Sequence, residues 1–459
     1  MQLQARANKL AANLGGVTNI VGMEAGEQLL VIQVVHLEYV EIDRIASDPF
    51  VAEVILGKTS VSILTTDKSA RHLLTGLRLS ETGQEEVSEA PFQLFVHLRN
   101  FLLPLLSTIM AGGIIQAIVV LFLSFSMFES VTETSTTLST IFTLVFMILP
   151  VLIAFSSAKY YQTNPYIAAA ITGMMLQPAV SEFVSTRMLE QVLNFPLINN
   201  HQYNTILPVL VLVPFLAYID HYLVQRVAPR MRPMLQPFIL MGTGLIFGIV
   251  VLLPLMAIAS HVLVAIFIII AEQVPFLSTL LMGAFGPLFV VTGTHYSFFE
   301  AVNQSLVTRG YDSLLGPGML ISNAAHVGVA LALMLKSRKK TYRVYSGVSG
   351  LLALLGVTQP IIYGGELILK NLLWYVMIGG GAGGLVAGLF QLKMYQFMNP
   401  NILSMLAFVD STGNILVAIS SMLVAAIVAF ALTFSRPIYE LSDEEIRIAT
   451  TGQGRDVIE

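Results

Sequence analysis

The 459-residue sequence contains no cysteine and little charge, with Asp, Glu, Lys and Arg at 11% against 55% hydrophobic residues. Without cysteine there are no disulfides, no zinc–thiolate sites and no thiol nucleophile. A soluble protein of this size carries charge on roughly a quarter of its residues, so most of this chain is not built to face water. Its mean hydropathy of +0.76 says the same. The net charge of −4 offers no electrostatic footprint for a nucleic acid. Neither a metal nor an organic cofactor is expected.

The shortage of charge is uneven. Residues 1–90 hold 19 charged side chains, and the much longer stretch from Phe101 to Ser435 holds 23. This predicts a small water-soluble domain (1–78), a linker (79–93), a membrane domain (94–436) and a cytoplasmic tail (437–459). The opening "MQLQARANKLAANLGG" lacks the apolar core of a signal peptide, which places residues 1–90 in the cytoplasm. Within them, residues 4–13 and "DKSARHLLTGL" (67–77) read as helices, and "QLLVIQVVHL" (28–37) and "TSVSILTT" (59–66) as strands. "IDRIASDPFVAEVI" between the strands reads as partly helical, giving a small α+β domain. "SETGQEEVSEAP" (80–91) is acidic, has no apolar face and reads as linker.

Charge-free runs then cover 101–128, 134–158, 233–271, 313–335, 371–392 and 411–435, with weaker candidates at 165–180, 204–219 and 276–292. A membrane crossing takes about 20 residues at 1.5 Å each, so the run 233–271 is long enough for nearly two. The expected class is mainly α, a polytopic protein of about ten transmembrane helices with re-entrant segments. Lys159, Arg226, Arg230, Arg232 and "KSRKKTYR" (336–343) mark cytoplasmic loops, while "FESVTETSTT" (128–137) and "SEFVSTRMLEQ" (181–191) face outward. The count places every loop on its expected side if the interrupted pieces near 348–365 and 398–412 do not cross. Both termini are then cytoplasmic.

Two polar interruptions carry the candidate chemistry. "GVTQPIIYGG" (356–365) sets Thr358, Gln359 and Pro360 in apolar surroundings and closes on two glycines. A helix broken there frees backbone groups that only buried protein or a wet cavity can satisfy, which is how transporter binding sites are built. "TGTHYSFFEA" (292–301) supplies Thr292, Thr294, His295, Tyr296 and Glu300. His295 shares its stretch with an irregular backbone and an acid and reads as functional, whereas His261 and His326 read as packing histidines. Glu300 either faces the site, snorkels, or meets Arg309. Glu366, two helical turns beyond Gln359, either shares its face or pairs with Lys370. Asp410 is a third candidate acid or a loop residue. Amides, hydroxyls and carboxylates with Tyr296 and Tyr363 for flat apolar faces suit a carbohydrate.

"GVTQPIIYG" resembles the "G-I-T-E-P-x-I-Y-G" signature of the membrane (IIC) subunit of sugar phosphotransferase system permeases. The similarity is to the glucose superfamily, in its sucrose/β-glucoside/trehalose/N-acetylmuramate branch. "TGTHYSF" resembles that branch's "T-G-x-H-H-S-F". "LPVLIAFSSAKYYQTNPYIAAAI" (149–171) and "ILPVLVLVPFLAYIDHYL" (206–223) resemble two further segments of it. The N-terminal "ANKLAANLGGVTNIVG" and "ILGKTSVSIL" resemble the family's IIB domain. The resemblance implies an IIBC architecture and a homodimer in the bacterial inner membrane. It also implies transfer of phosphate from a IIA partner, through a IIB cysteine, to a sugar crossing the membrane.

Four positions named here depart from the pattern, and one is kept. Gly26 stands at the phosphate-accepting cysteine, with Leu29 and Val31 at two arginines. Gln359 replaces the family's sugar-binding glutamate, and an amide bonds a hydroxyl without taking its proton. The conserved-pattern histidine is kept as His295, which inherits a provisional catalytic role beside the expected sugar ligands Thr358, Gln359, Tyr363, Glu366 and Glu300. The expectation is a sugar permease that phosphorylates only if a separate IIB protein acts in trans. The alternative is a non-phosphorylating facilitator, or a sugar sensor that binds the system's partner proteins.

Overall fold

The structure, a computed structural model, describes residues 97–126, 146–184, 206–369, 371–410, 413–437, 441 and 445–448, with 20–25, 29–34, 40–46, 51–57 and 60–65 and the single residues 10, 13, 14, 37 and 48. Two compact units divide the chain, Met1–Phe92 and Gln93–Glu459.

In the first unit, strands β1 (Ile20–Ala25), β2 (Leu29–Val34), β3 (Val51–Leu56) and β4 (Ser60–Thr65) form an antiparallel sheet in the order β1-β2-β4-β3. A short helix, α1 (Ile42–Ala46), precedes β3. Alternation builds the core: Leu30 and Ile32 lie opposite Ile63 and Val61, and all four are fully enclosed. The central strands are the two that periodicity predicts. The other two are edges, and each carries a register irregularity, at Ile20/Gly22 and at Val51/Glu53. The segment between the predicted strands is helical in part, as expected, at α1, and its second half is the strand β3. Gly26, the linker 80–91, the helix over 67–77 and most of that over 4–13 lie outside the described residues.

The second unit is helical: α2 (Leu106–Ser126), α3 (Leu149–Tyr160), α4 (Pro165–Met175), α5 (Ile206–Arg226), α6 (Arg232–Leu245), α7 (Leu253–Gln273), α8 (Pro275–Thr292), α9 (Phe299–Arg309), α10 (Leu315–Lys336), α11 (Lys340–Leu354), α12 (Leu372–Leu389) and α13 (Asn414–Ser435). Seven helices among the described residues are long and apolar enough to cross a membrane, and the chain is a multi-pass membrane protein. Of the expected run 134–158, only the part from residue 146 is described. The runs 204–219 and 276–292 are full helices, α5 and α8. The run 233–271 is one continuous helix rather than nearly two crossings. A π-helical stretch, Ile246–Leu252, joins α6 to α7 so that Arg232–Gln273 runs unbroken for 42 residues. Pro254, at the start of α7, has no N–H for the preceding turn, and the wider π register absorbs that loss. Much of this helix remains exposed and apolar, as at Met234, Phe238, Ile246 and Ile269.

Lipid offers no hydrophobic gain for bringing helices together, so close backbone contact has to hold them. α12 supplies it with a glycine stripe. A Cβ on Gly380 would sit 2.1 Å from the Gly283 carbonyl of α8, and one on Gly388 would sit 2.4 Å from that of Phe276. On the other side, Gly383 meets the Ser421 carbonyl of α13, while Gly328 of α10 meets that of Ala426. A second staple is polar. The buried Asp220 of α5 accepts from Thr163 Oγ1 at 2.7 Å and from the Gln236 amide of α6, which ties the α3–α4 turn to both helices. Asn164 beside it caps α4, and Pro165 opens that helix. Of the expected tail, Leu441 is enclosed by this unit and Glu445 pairs with Arg99.

Gly380→Val should cost about 3 kcal/mol, the upper end for overpacking, because the obstacle is backbone and cannot rotate away. Gly173→Ala, with nothing within 4 Å of the added carbon, should be silent. Thermal unfolding of the detergent-solubilised protein separates the two.

Candidate functional site

The first polar interruption begins where α8 ends. Gly293 takes a left-handed conformation (φ 73°) and closes the helix, and Thr294–Phe298 follow as a 3-10 turn. This reversal swings His295 back along α8, so that Nδ1–H donates to the Phe289 carbonyl at 3.0 Å. A carbonyl can only accept, so the tautomer is set and Nε2 keeps its lone pair. The ring lies against Tyr296, with centroids 4.0 Å apart. Thr292 bonds the Leu288 carbonyl and the Thr294 hydroxyl.

The second interruption follows α11. Gly356 turns the chain at φ 80°, and Gln359–Ile361 make one helical turn before Ile362–Glu366 widen into a π stretch. Carbonyls in such a segment lose their helical partners, and two tyrosines of α11 provide new ones. Tyr345 donates to the Pro360 carbonyl and Tyr342 to that of Gly364, each at 2.8 Å. Their rings stack nearly parallel, 6.0 Å apart. The approach requires glycine at 364, since a Cβ there would stand 1.8 Å from the Tyr345 hydroxyl. Pro360 in turn packs where Gly113 of α2 leaves room.

Tyr363 links the two interruptions. Its ring is buried and its hydroxyl reaches back to the Val291 carbonyl at 3.4 Å. The structure thus brings the His295 turn and the 358–366 segment together. Thr358 is buried at the start of that segment, and the side-chain oxygen of Gln359 is enclosed with no hydrogen-bond partner. An amide oxygen left so is a ready acceptor for a ligand hydroxyl.

The three candidate acids lie as follows. Glu300 is exposed on the first turn of α9, and Arg309 pairs with Glu272 instead. Asp410 is a loop residue: its carboxylate accepts from Tyr395 and from the backbone N–H of Asn414, ahead of α13. Glu366 is bonded to His326 of α10, Nδ1 to Oε1 at 2.6 Å, with both side chains fully enclosed. Lys370, the partner that spacing suggested, lies outside the described residues. His326 is buried as a packing histidine would be, and its hydrogen-bond partner is the carboxylate of a distant segment. Its signal was present in "SNAAH", where Ser322 and His326, four apart in an apolar helix, share a face.

Residues 99–381 match the family described as "Phosphotransferase system, EIIC". The chain belongs to that family. The match takes in both polar interruptions of this EIIC chain, from His295 to Glu366. It is 24% identical over 316 residues to a Bacillus subtilis "PTS system beta-glucoside-specific EIIBCA component", covering 69% of this chain and 51% of the relative. To an Escherichia coli "PTS system arbutin-, cellobiose-, and salicin-specific EIIBC component" it is 25% identical, covering 74% and 72%. To a Bacillus subtilis "PTS system sucrose-specific EIIBC component" it is 26% identical, covering 76% of each. The chain thus spans about half the length of the first of these relatives and about three quarters of the other two.

Tyr345→Phe leaves the Pro360 carbonyl unpaired where lipid and protein surround it, and should cost about 1–3 kcal/mol. Tyr218→Phe, on the exposed face of α5, should stay within about 0.5 kcal/mol. Unfolding midpoints in detergent measure both.

Proposed function

We propose that this EIIC chain is the sugar permease of a phosphotransferase system in a bacterial inner membrane, with both termini in the cytoplasm and a homodimeric membrane unit embedded in lipid. Its substrate is a glucoside, disaccharide or amino-sugar. The observation that carries the proposal is the meeting of two family-like interruptions across Tyr363, with the Gln359 oxygen enclosed and unpartnered. A sugar there would find the Gln359 amide, the Thr358 hydroxyl and the His295 Nε2 lone pair for directional hydrogen bonds, and Tyr363 for its apolar face. His295 is the group suited to accept the proton of the reacting hydroxyl, because its Nδ1–H is already engaged.

Phosphate must come from elsewhere. The chain has no cysteine, and glycine at position 26 carries no nucleophile. A IIB protein acting in trans, charged by a IIA partner, supplies the phosphoryl group. Leu29, on β2, is 40% exposed where the family pattern has a phosphate-steadying arginine, so Gly26→Cys alone should not let this domain hold phosphate.

Two measurements test this. Cells that express the chain with a β-glucoside-type IIB should take up salicin or sucrose and accumulate the phosphorylated sugar. Deleting enzyme I should abolish that accumulation. Uptake that is unchanged without enzyme I would mean facilitation, and no uptake with intact binding would mean a sensor. His295→Ala should weaken sugar binding by about 1–3 kcal/mol, while His221→Ala, exposed on α5, should leave it unaltered. Equal losses would remove His295 from the site.

A further inference from the structure

α2 turns its large apolar side chains outward and its small ones in. Ile114, Ile115, Ile118 and Phe122 are exposed, whereas Gly112, Gly113, Ala117 and Val119 are buried. The buried set recurs at spacings of three and four and marks one face of the helix. Gln116 belongs to that face, midway along α2, and is the single polar side chain between Met110 and Ser124. An amide in an apolar helix is costly unless something satisfies it. Gln116 is half-buried, and its oxygen is enclosed with no hydrogen-bond partner among the described residues.

The neighbour on that face is the broken segment of the site. The helical turn Gln359–Ile361 packs on α2. A Cβ on Gly113 would stand 2.6 Å from Pro360 Cγ, and Ala117 shares a buried cluster with Leu352, Leu355 and Val357. Gln116 lies between these two contacts. Positions three apart on a helix stand about 5–6 Å from one another, which sets the stem of Gln116 close to Pro360 and so to Gln359. Gln359 has the same peculiarity, an enclosed oxygen without a donor. Two elements in contact thus each present an unused acceptor. Buried acceptors left in this state are rare in native structures and call for an explanation. A pyranose ring supplies one, because its neighbouring hydroxyls can each donate to a separate oxygen.

We propose that Gln116 is a second amide ligand of the sugar, so that Gln116 and Gln359 each accept a hydrogen bond from one ring hydroxyl. The inference rests on the permease reading above and deepens it. α2 becomes a wall of the site, and the two amides set which hydroxyls a substrate must carry. A sugar that lacks one of them leaves an enclosed oxygen unpaired and is rejected for that reason.

Calorimetric binding of methyl β-glucoside and its monodeoxy analogues to the full-length protein in detergent tests this. In the parent, two of the analogues should bind about tenfold more weakly than the complete sugar, the loss of one hydrogen bond to an enclosed acceptor. Gln116→Met, of similar length but without the amide, should bind the complete sugar about tenfold more weakly. It should also cease to discriminate against one of the two analogues while still rejecting the other, and Gln359→Met should show the converse. The Gln116 oxygen has no bond within the protein to lose, so the unfolding midpoint of Gln116→Met should be unchanged or higher. Gln116→Asn, one carbon shorter, guards against a variant that merely disturbs α2 and should lose the same discrimination. Ile118→Val, on the outward face, should match the parent throughout. An unaltered deoxy profile in both Gln116 variants overturns the inference. So does a lower midpoint with unchanged sugar binding, the result expected of an amide that holds a structural water. If the parent binds no glucoside, the sugar reading fails and this inference with it. Glucoside binding with an unaltered profile removes Gln116 alone.

Discussion

In a bilayer every backbone carbonyl needs a partner within the protein. The segment after α11 breaks its helix with Pro360 and then widens into a π stretch, and both devices strip carbonyls of their usual donors. Tyr342 and Tyr345 meet that need from the neighbouring helix. Everything polar in the site follows from this exchange. Because the tyrosines hold the broken backbone in place, Gln359 and Tyr363 have fixed positions and Glu366 reaches α10. Gly364 is the condition for it, since any side chain would occupy the space of the Tyr345 hydroxyl.

The frame around the break works by a different rule. α12 presents glycines to α8 on one side and to α13 on the other, and backbones meet almost directly. Such contacts have no slack, so α8, α10, α12 and α13 behave as one packed body. The His295 turn leaves the end of α8 and the broken segment leads into α12. A rigid frame between those two helices therefore sets the spacing of the site.

The fold class was legible because hydrophobic runs of membrane length are a strong signal. Both interruptions were legible because Gly, Pro and polar residues are conspicuous in apolar surroundings. Partners across helices were not. Lys370 follows Glu366 by four residues and so suggested a local pair, and the bond to His326, 40 residues away in sequence, was not foreseen. Spacing reports neighbours along one helix and is blind to the next. Glu300 belongs to the motif in sequence and stands exposed on the first turn of α9. The edge strands β1 and β3 escaped notice, and each carries a register irregularity that blurs the two-residue alternation. The tyrosine pair of α11 could have been suspected, since "TYRVYSG" puts two hydroxyls three apart on one face ahead of the break.

The continuous helix Arg232–Gln273 has a consequence of its own. At 42 residues it is about 63 Å long, roughly twice the thickness of a hydrocarbon core. Its exposed surface is apolar along most of that length, so only its ends, at Arg232 and at Glu272–Gln273, are suited to meet water. It can satisfy both constraints only by lying steeply aslant or by bending along the headgroup boundary, and the π stretch before Pro254 is the natural place to bend. Its inclination then answers to bilayer thickness. Through its contacts with α5 and α8, a change of lipid would be felt as a change in the angle of the helices that carry the site.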